Sequence, residues 1–192
     1  VPHDNAPDGF GNFSNQGPMA RSVADAALML SVLAGPHPND PHSHGLPKDD
    51  YVAAAKGQGG LKGVKIGWLP FMGNALIDPE ILAACEARRD ALADRGAEII
   101  ALDEPFENTE PYWLVITQSL WVVRFEDKLA EFGPRMTPTL LRGIEEGKSY
   151  SAAELQRAIT FRTQLYRRVQ SWFEQVDFLM MPTLSRTAID AD

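Results

Sequence analysis

Hydrophobic and polar positions along this chain change period several times, and each change marks an element. In residues 17–35, GPMARSVADAALMLSVLAG, the side chains Val23, Ala26, Ala27, Leu30, Leu33 and Ala34 recur at helical spacing. Leu28, Met29 and Val32 fill much of the other side, which predicts a helix that is apolar nearly all round and buried between layers. Ser22 with Asp25 three residues on forms a start signal of the capping-box type, and Gly35 with Pro36 forms a stop. Ahead of it, residues 1–16 are dense in Gly, Pro, Asn and Asp without a period, the pattern of a loop.

A short apolar run over residues 64–69 predicts a strand, and residues 97–102, AEIIAL, predict another. Between them a helix is marked by Asp78 as N-cap, Pro79 in the first turn and Gly96 past the end. Its apolar face comprises Ile81, Ala84, Cys85 and Leu92. Strand, helix and strand in this order predict a βαβ unit and a parallel pair.

Residues 109–132 predict a long aromatic-rich helix stopped by Gly133 and Pro134, and a short helix starts at Thr137 and Pro138 and ends near Gly147. Ser151 with Glu154 caps a last helix, with Leu155, Ile159, Leu165, Val169 and Trp172 as its inward stripe. Residues 177–182, DFLMMP, predict a closing strand. The fold class is therefore α/β: helices packed on a mixed, partly parallel sheet, with about three strands and five helices. Three strands fall short of the about five or six of a usual sheet, so residues 1–192 are read as one partial domain of a larger body. A start at Val1 and a close on RTAIDAD, just after a strand-like run, agree with that expectation.

Composition narrows the function classes. The 192 residues carry 44% hydrophobic and 23% charged residues, the balance of a globular chain. A formal charge of −8, from 18 basic and 26 acidic residues, argues against a nucleic-acid partner, because there is no basic excess to neutralise phosphates. No apolar run approaches the roughly 20 residues of a bilayer span. Neither membrane association nor a leader is expected, and the location expected is cytoplasmic. Cys85 is the single cysteine, so no internal disulfide can form, and its helical surroundings suggest a small hydrophobe.

Several motifs invite chemistry that their spacing does not support. GIEEGKSY has three residues between Gly143 and Gly147 where a phosphate loop has four, and it follows a helix. GQGGLKGVKIG precedes its strand, whereas a dinucleotide fingerprint follows one. His37, Asp40, His42 and His44 share a Pro-rich segment that reads as a solvated loop rather than a metal site, and no cofactor is implied. Acyl transfer needs a nucleophile, a base and an oxyanion site. The neighbours Lys148 and Ser149 do not supply that set. Tyr112, Trp113, Trp121 and Phe125 are spaced for packing along one helix, with a pocket wall as the alternative. Arg21 and Asp25 stand in the weaker order for a helix-surface pair.

One long string is more specific than any of these. GPMARSVADAALMLSVLAGPHPNDP closely resembles the segment that follows the catalytic core in the amidase signature family. LKGVKIGWLP with DPEILAACEARRDALADRGAEIIAL is similar to that family's next strand, helix and strand. SAAELQRAITFRTQLYRRVQSWFEQVDFLMMPT is similar to its late helix and strand. The resemblance implies hydrolysis of an amide carbon–nitrogen bond by a serine nucleophile, a second serine in a cis peptide and a neutral lysine. Those residues lie, in the family, ahead of the quoted string, so no catalytic residue is expected in this chain. What it would supply is scaffold and pocket wall, with Met19, Trp113, Thr117, Trp121, Met181 and Thr183 as substrate-binding candidates. The implied partner is a small-molecule amide; a homodimer and a separate catalytic portion stay open. The alternative from a different class is a non-catalytic α/β binding or interaction module.

Overall fold

The structure is a computed structural model that describes residues 16–43, 45, 49–57, 59–73, 76–102 and 107–188. The chain divides into two compact units, Val1–Gly59 and Gly60–Asp192. His44 and most of the N-terminal loop expected from the sequence lie outside the described residues.

In the first unit, α1 runs Val23–Leu33 and α2 runs Tyr51–Ala55. The Ser22 hydroxyl accepts from the Asp25 amide at 3.1 Å and donates to the Asp25 carboxylate at 2.7 Å, closing the start of α1. That bond, rather than Arg21, is what engages Asp25. The helix is shorter than residues 17–35 and is not buried between layers. Only Ala27 is buried, while Val23 and Val32 are 73% and 78% exposed. The physical reason is the size of its neighbour: α1 packs on α2, and five residues cover one narrow face. Between the helices the histidine loop is held by local bonds. The Asn39 amide donates to His37 Nδ1 at 3.2 Å, the His42 amide to Asp40 Oδ1 at 3.0 Å, and the His37 amide to the buried Ser43 hydroxyl at 2.9 Å.

The second unit holds the sheet. Strands β1 (Lys65–Trp68), β2 (Glu98–Ala101) and β3 (Phe178–Met180) lie in the order β2-β1-β3, and both pairings are parallel. These are the parallel part of the mixed sheet expected, each strand trimmed by a residue or two at its ends. Register is pinned at the start of β3, where the Lys65 amide donates to Asp177 Oδ2 at 2.8 Å and the Asp177 amide returns to the Lys65 carbonyl at 2.9 Å. Helix α3 (Pro79–Asp94) joins β1 to β2. Asp78 caps it by accepting from the Glu80 amide at 3.0 Å, and Gly96, at φ 100°, turns the chain into β2. Arg89 of α3 lays its guanidinium 5.4 Å from the ring centre of the buried Trp68.

The remaining helices form a second layer: α4 (Glu110–Phe125), the single turn α5 (Leu129–Phe132), α6 (Pro138–Ser149) and α7 (Ala152–Phe173). The helix expected over residues 109–132 stops at Phe125 and gives way to two 3₁₀ turns around α5. Lys128 Nζ donates to the Arg124 carbonyl at 3.0 Å and thereby caps α4 without a glycine or proline. Counting helices of eleven residues or more, the described chain has α1, α3, α4, α6 and α7, the five expected.

The core of this unit comprises Ile66, Trp68, Leu69 and Val176 at the sheet and Ile116, Ile144, Ala158, Phe161 and Trp172 among the helices. The inward stripe of α7 therefore runs through Ala158 and Phe161. Of the stripe expected, Trp172 is buried and Leu155, Leu165 and Val169 are half-buried, while Ile159 is exposed.

Candidate substrate-facing elements

A parallel sheet opens its crevice at the carboxyl ends of the strands, where the chain leaves to opposite sides. In the order β2-β1-β3 that point lies between β1 and β3. The two exits are tied together: the Leu69 amide donates to the Met180 carbonyl at 3.0 Å, and the Asp78 amide donates to the Ser185 carbonyl at 2.7 Å. Beyond β1 the chain turns sharply at Met72 (φ 45°) and Gly73 (φ 80°). Phe71, Leu76 and Leu184 give this edge an exposed apolar rim. Met181, half-buried, and Thr183, exposed, lie on the β3 exit.

Helix α4 carries the second group. Trp113, Thr117 and Trp121 recur every four residues and share one side. Trp113 is 57% exposed and Thr117 is half-buried. Trp121 packs against α6, where a Cβ on Gly143 would stand 2.5 Å from its ring. Met19 belongs to the first unit, ahead of α1, and is 95% exposed. Among the described residues no hydrogen bond or ring contact joins the α4 group to the pair on the β3 exit.

Sequence reasoning missed the polar network that fixes α4. Gln118, 5% exposed, donates from Nε2 to Glu146 of α6 at 2.6 Å and accepts on Oε1 from the Tyr150 hydroxyl at 2.6 Å. Both ends of the amide are thus satisfied inside the helix layer. The detectable signal was the pair Gly143 and Gly147. These glycines lie within α6, and they let it approach the α4 backbone: a Cβ on Gly147 would overlap the Gln118 carbonyl oxygen. GIEEGKSY is therefore a helix crossing. Lys148 pairs with Glu145 at 2.8 Å and Ser149 donates to the Glu146 carbonyl at 2.7 Å, both exposed. Among the described residues there is no group of three or more His, Cys, Asp or Glu able to hold a metal ion.

The amidase family model matches residues 1–192. An acylamidase of Rhodococcus erythropolis is 31% identical over 182 residues, covering 92% of this chain and 37% of its own length. A glutamyl-tRNA(Gln) amidotransferase subunit of Mycobacteroides abscessus is 30% identical over 201 residues, covering 90% of this chain and 41% of its own length. A solved bacterial aryl acylamidase of the amidase signature family superposes with a TM-score of 0.82 at 23% identity, covering 95% of this chain and 39% of that one. The chain thus spans about two fifths of the length of the relatives it matches. With a family match along the whole chain and a fold that superposes on one of its members, this chain belongs to the amidase signature family.

Proposed function

We propose that the complete protein hydrolyses the carbon–nitrogen bond of a small acyl amide, giving a carboxylate and an amine or ammonia. In that reading residues 1–192 form part of one amidase domain and supply scaffold and pocket wall. The observation that carries it is the match of the amidase family model along residues 1–192. The nucleophile, relay serine and lysine belong to another part of the protein, and no side chain here is given a catalytic role. The proposed contributors to the pocket in the second unit are Trp113, Thr117 and Trp121 on α4, and Met181 and Thr183 on the β3 exit; Met19 is proposed as a substrate contact of the first unit by itself.

Two relatives point to different substrates, one named an acylamidase and the other belonging to a tRNA amidotransferase. The acidic balance of −8 favours a small amide over a tRNA-linked one, since nothing in the charge count offsets a phosphate backbone. A cytoplasmic setting accords with a single cysteine, used without a disulfide. The test is a release assay on the intact protein with acyl anilides, simple aliphatic amides and glutaminyl substrates. Amine or ammonia release from the first two groups is expected. Release only with charged tRNA present would overturn the substrate assignment, and release from none would overturn the activity.

A further inference from the structure

Away from the sheet edge, the start of α4 and the first turns of α7 enclose a shallow groove of about 520 Å³, lined by Tyr112, Ala153, Gln156, Arg157, Thr160, Phe161 and Gln164. That volume falls in the range of small-molecule sites, roughly 300–1,000 Å³. Its floor is aromatic: the Tyr112 and Phe161 rings stack with centroids 3.7 Å apart and planes 12° apart. Phe161 is buried and Tyr112 half-buried, so Tyr112 is the more accessible of the two rings. Its wall is one face of α7, where residues 153, 157, 160 and 164 recur at helical spacing.

Arg157 is the one charged group of that wall, and its other polar groups both donate and accept. Arg157 contributes a guanidinium, and Gln156 and Gln164 contribute carboxamide N–H groups. Thr160 gives its hydroxyl proton to the Gln156 carbonyl at 2.9 Å. No carboxylate lines the groove. The acid nearest in sequence, Glu154, is committed elsewhere, accepting the Ser151 amide at 2.8 Å and the Ser151 hydroxyl at 2.7 Å. The Arg157 charge acts on that carboxylate only as the weakest of the influences on it. Among the described residues Arg157 makes no ion pair.

We propose that this groove is a binding site for a small aryl carboxylate, its ring on Tyr112 and its carboxylate on the planar fork of Arg157, flanked by Gln156 and Gln164. A guanidinium matches a carboxylate with two parallel hydrogen bonds, and an aromatic floor matches a flat apolar body. The assignment stands on these residues and does not require the amidase reading.

The test is ligand-observed fluorine NMR on the intact protein with 4-fluorobenzoate as probe and 4-fluorobenzamide as its neutral counterpart. Saturable binding of the benzoate is expected, at least several-fold tighter than the amide, and weakened when salt rises from about 50 mM to about 500 mM. Arg157→Gln should weaken it about tenfold or more, and Arg157→Lys less, because charge survives while the fork does not. Both changes lie on the exposed side of α7, and an unchanged melting temperature shows that the variants fold. Binding that survives Arg157→Gln, equal binding of the neutral amide, or no saturable binding up to about 10 mM each overturns the assignment.

Discussion

Replacing Gly147 by alanine separates two effects that usually act together. In a helix interior such a change normally gains about 1 kcal/mol, because alanine loses less backbone freedom on folding. Here the added Cβ would fall on the carbonyl oxygen of Gln118, with the Val122 side chain at 2.9 Å. A carbonyl within a helix cannot rotate away. The two helices must instead part by about 1 Å, and a gap of that size forfeits a quarter to a half of each contact along the crossing. Overpacking of this kind costs about 1–3 kcal/mol, and it also strains the Gln118–Glu146 bond that spans the same crossing. The net expectation is a loss of up to about 2 kcal/mol, read as a lower urea midpoint at unchanged slope. Gly143→Ala is the comparison: its Cβ would meet the Trp121 ring at 2.5 Å, and a side chain can shift where a helix carbonyl cannot, so it should cost less. If both alanines stabilise alike, the close approach of α6 to α4 is wrong.

Three further outcomes follow from particular bonds. Tyr150→Phe leaves the Oε1 of buried Gln118 without its donor and should cost about 1–2 kcal/mol in chemical denaturation. A melting temperature equal to that of the unaltered protein would show that the bond carries nothing. Asp177→Ala removes the acceptor of the Lys65 amide and should lower stability by about 1 kcal/mol, while Asp177→Asn, which keeps a carbonyl, should recover most of it. Equal loss in both would point to charge instead of the bond. The Ser151 hydroxyl, and then its backbone N–H, hold the Glu154 carboxyl below the usual glutamate range. Its folded form therefore binds fewer protons than its unfolded form. The stabilisation is present above the ordinary glutamate value and is lost as pH falls through the lowered one. Glu154→Gln should flatten the stability–pH curve in that acidic window, and a curve of unchanged slope would contradict the assignment.

Local chemistry was the legible part of this fold. Ser22, Asp78 and Ser151 each announce a helix start by residue type and spacing, and each makes the cap bond expected. The βαβ order was readable because Asp78, Pro79 and Gly96 bracket one helix between two apolar runs. The end of α4 was not, since a lysine reaching back to Arg124 leaves no glycine or proline to read. Likewise the stack of Phe161 on Tyr112, more than forty residues away along the chain, is a pairing that periodicity within one helix cannot register. For α1 the pattern named the apolar residues correctly and misjudged their surroundings: Val23 and Val32 need a partner larger than α2. Around the proposed pocket, sequence reasoning named Trp121 but not Gly143 as the residue that receives it. A side chain can be read from its letter, whereas a helix crossing exists only once two helices meet.

In the proposed function this chain frames an amidase pocket, and the catalytic groups come from another part of the protein. The most direct measurement is turnover of one acyl anilide by the intact protein and by residues 1–192 alone, followed as amine release at equal concentration. Steady turnover by the intact protein, and none above buffer by residues 1–192, is the expected result. Turnover by residues 1–192 alone, or its absence from the intact protein across acyl anilides and aliphatic amides, would contradict it.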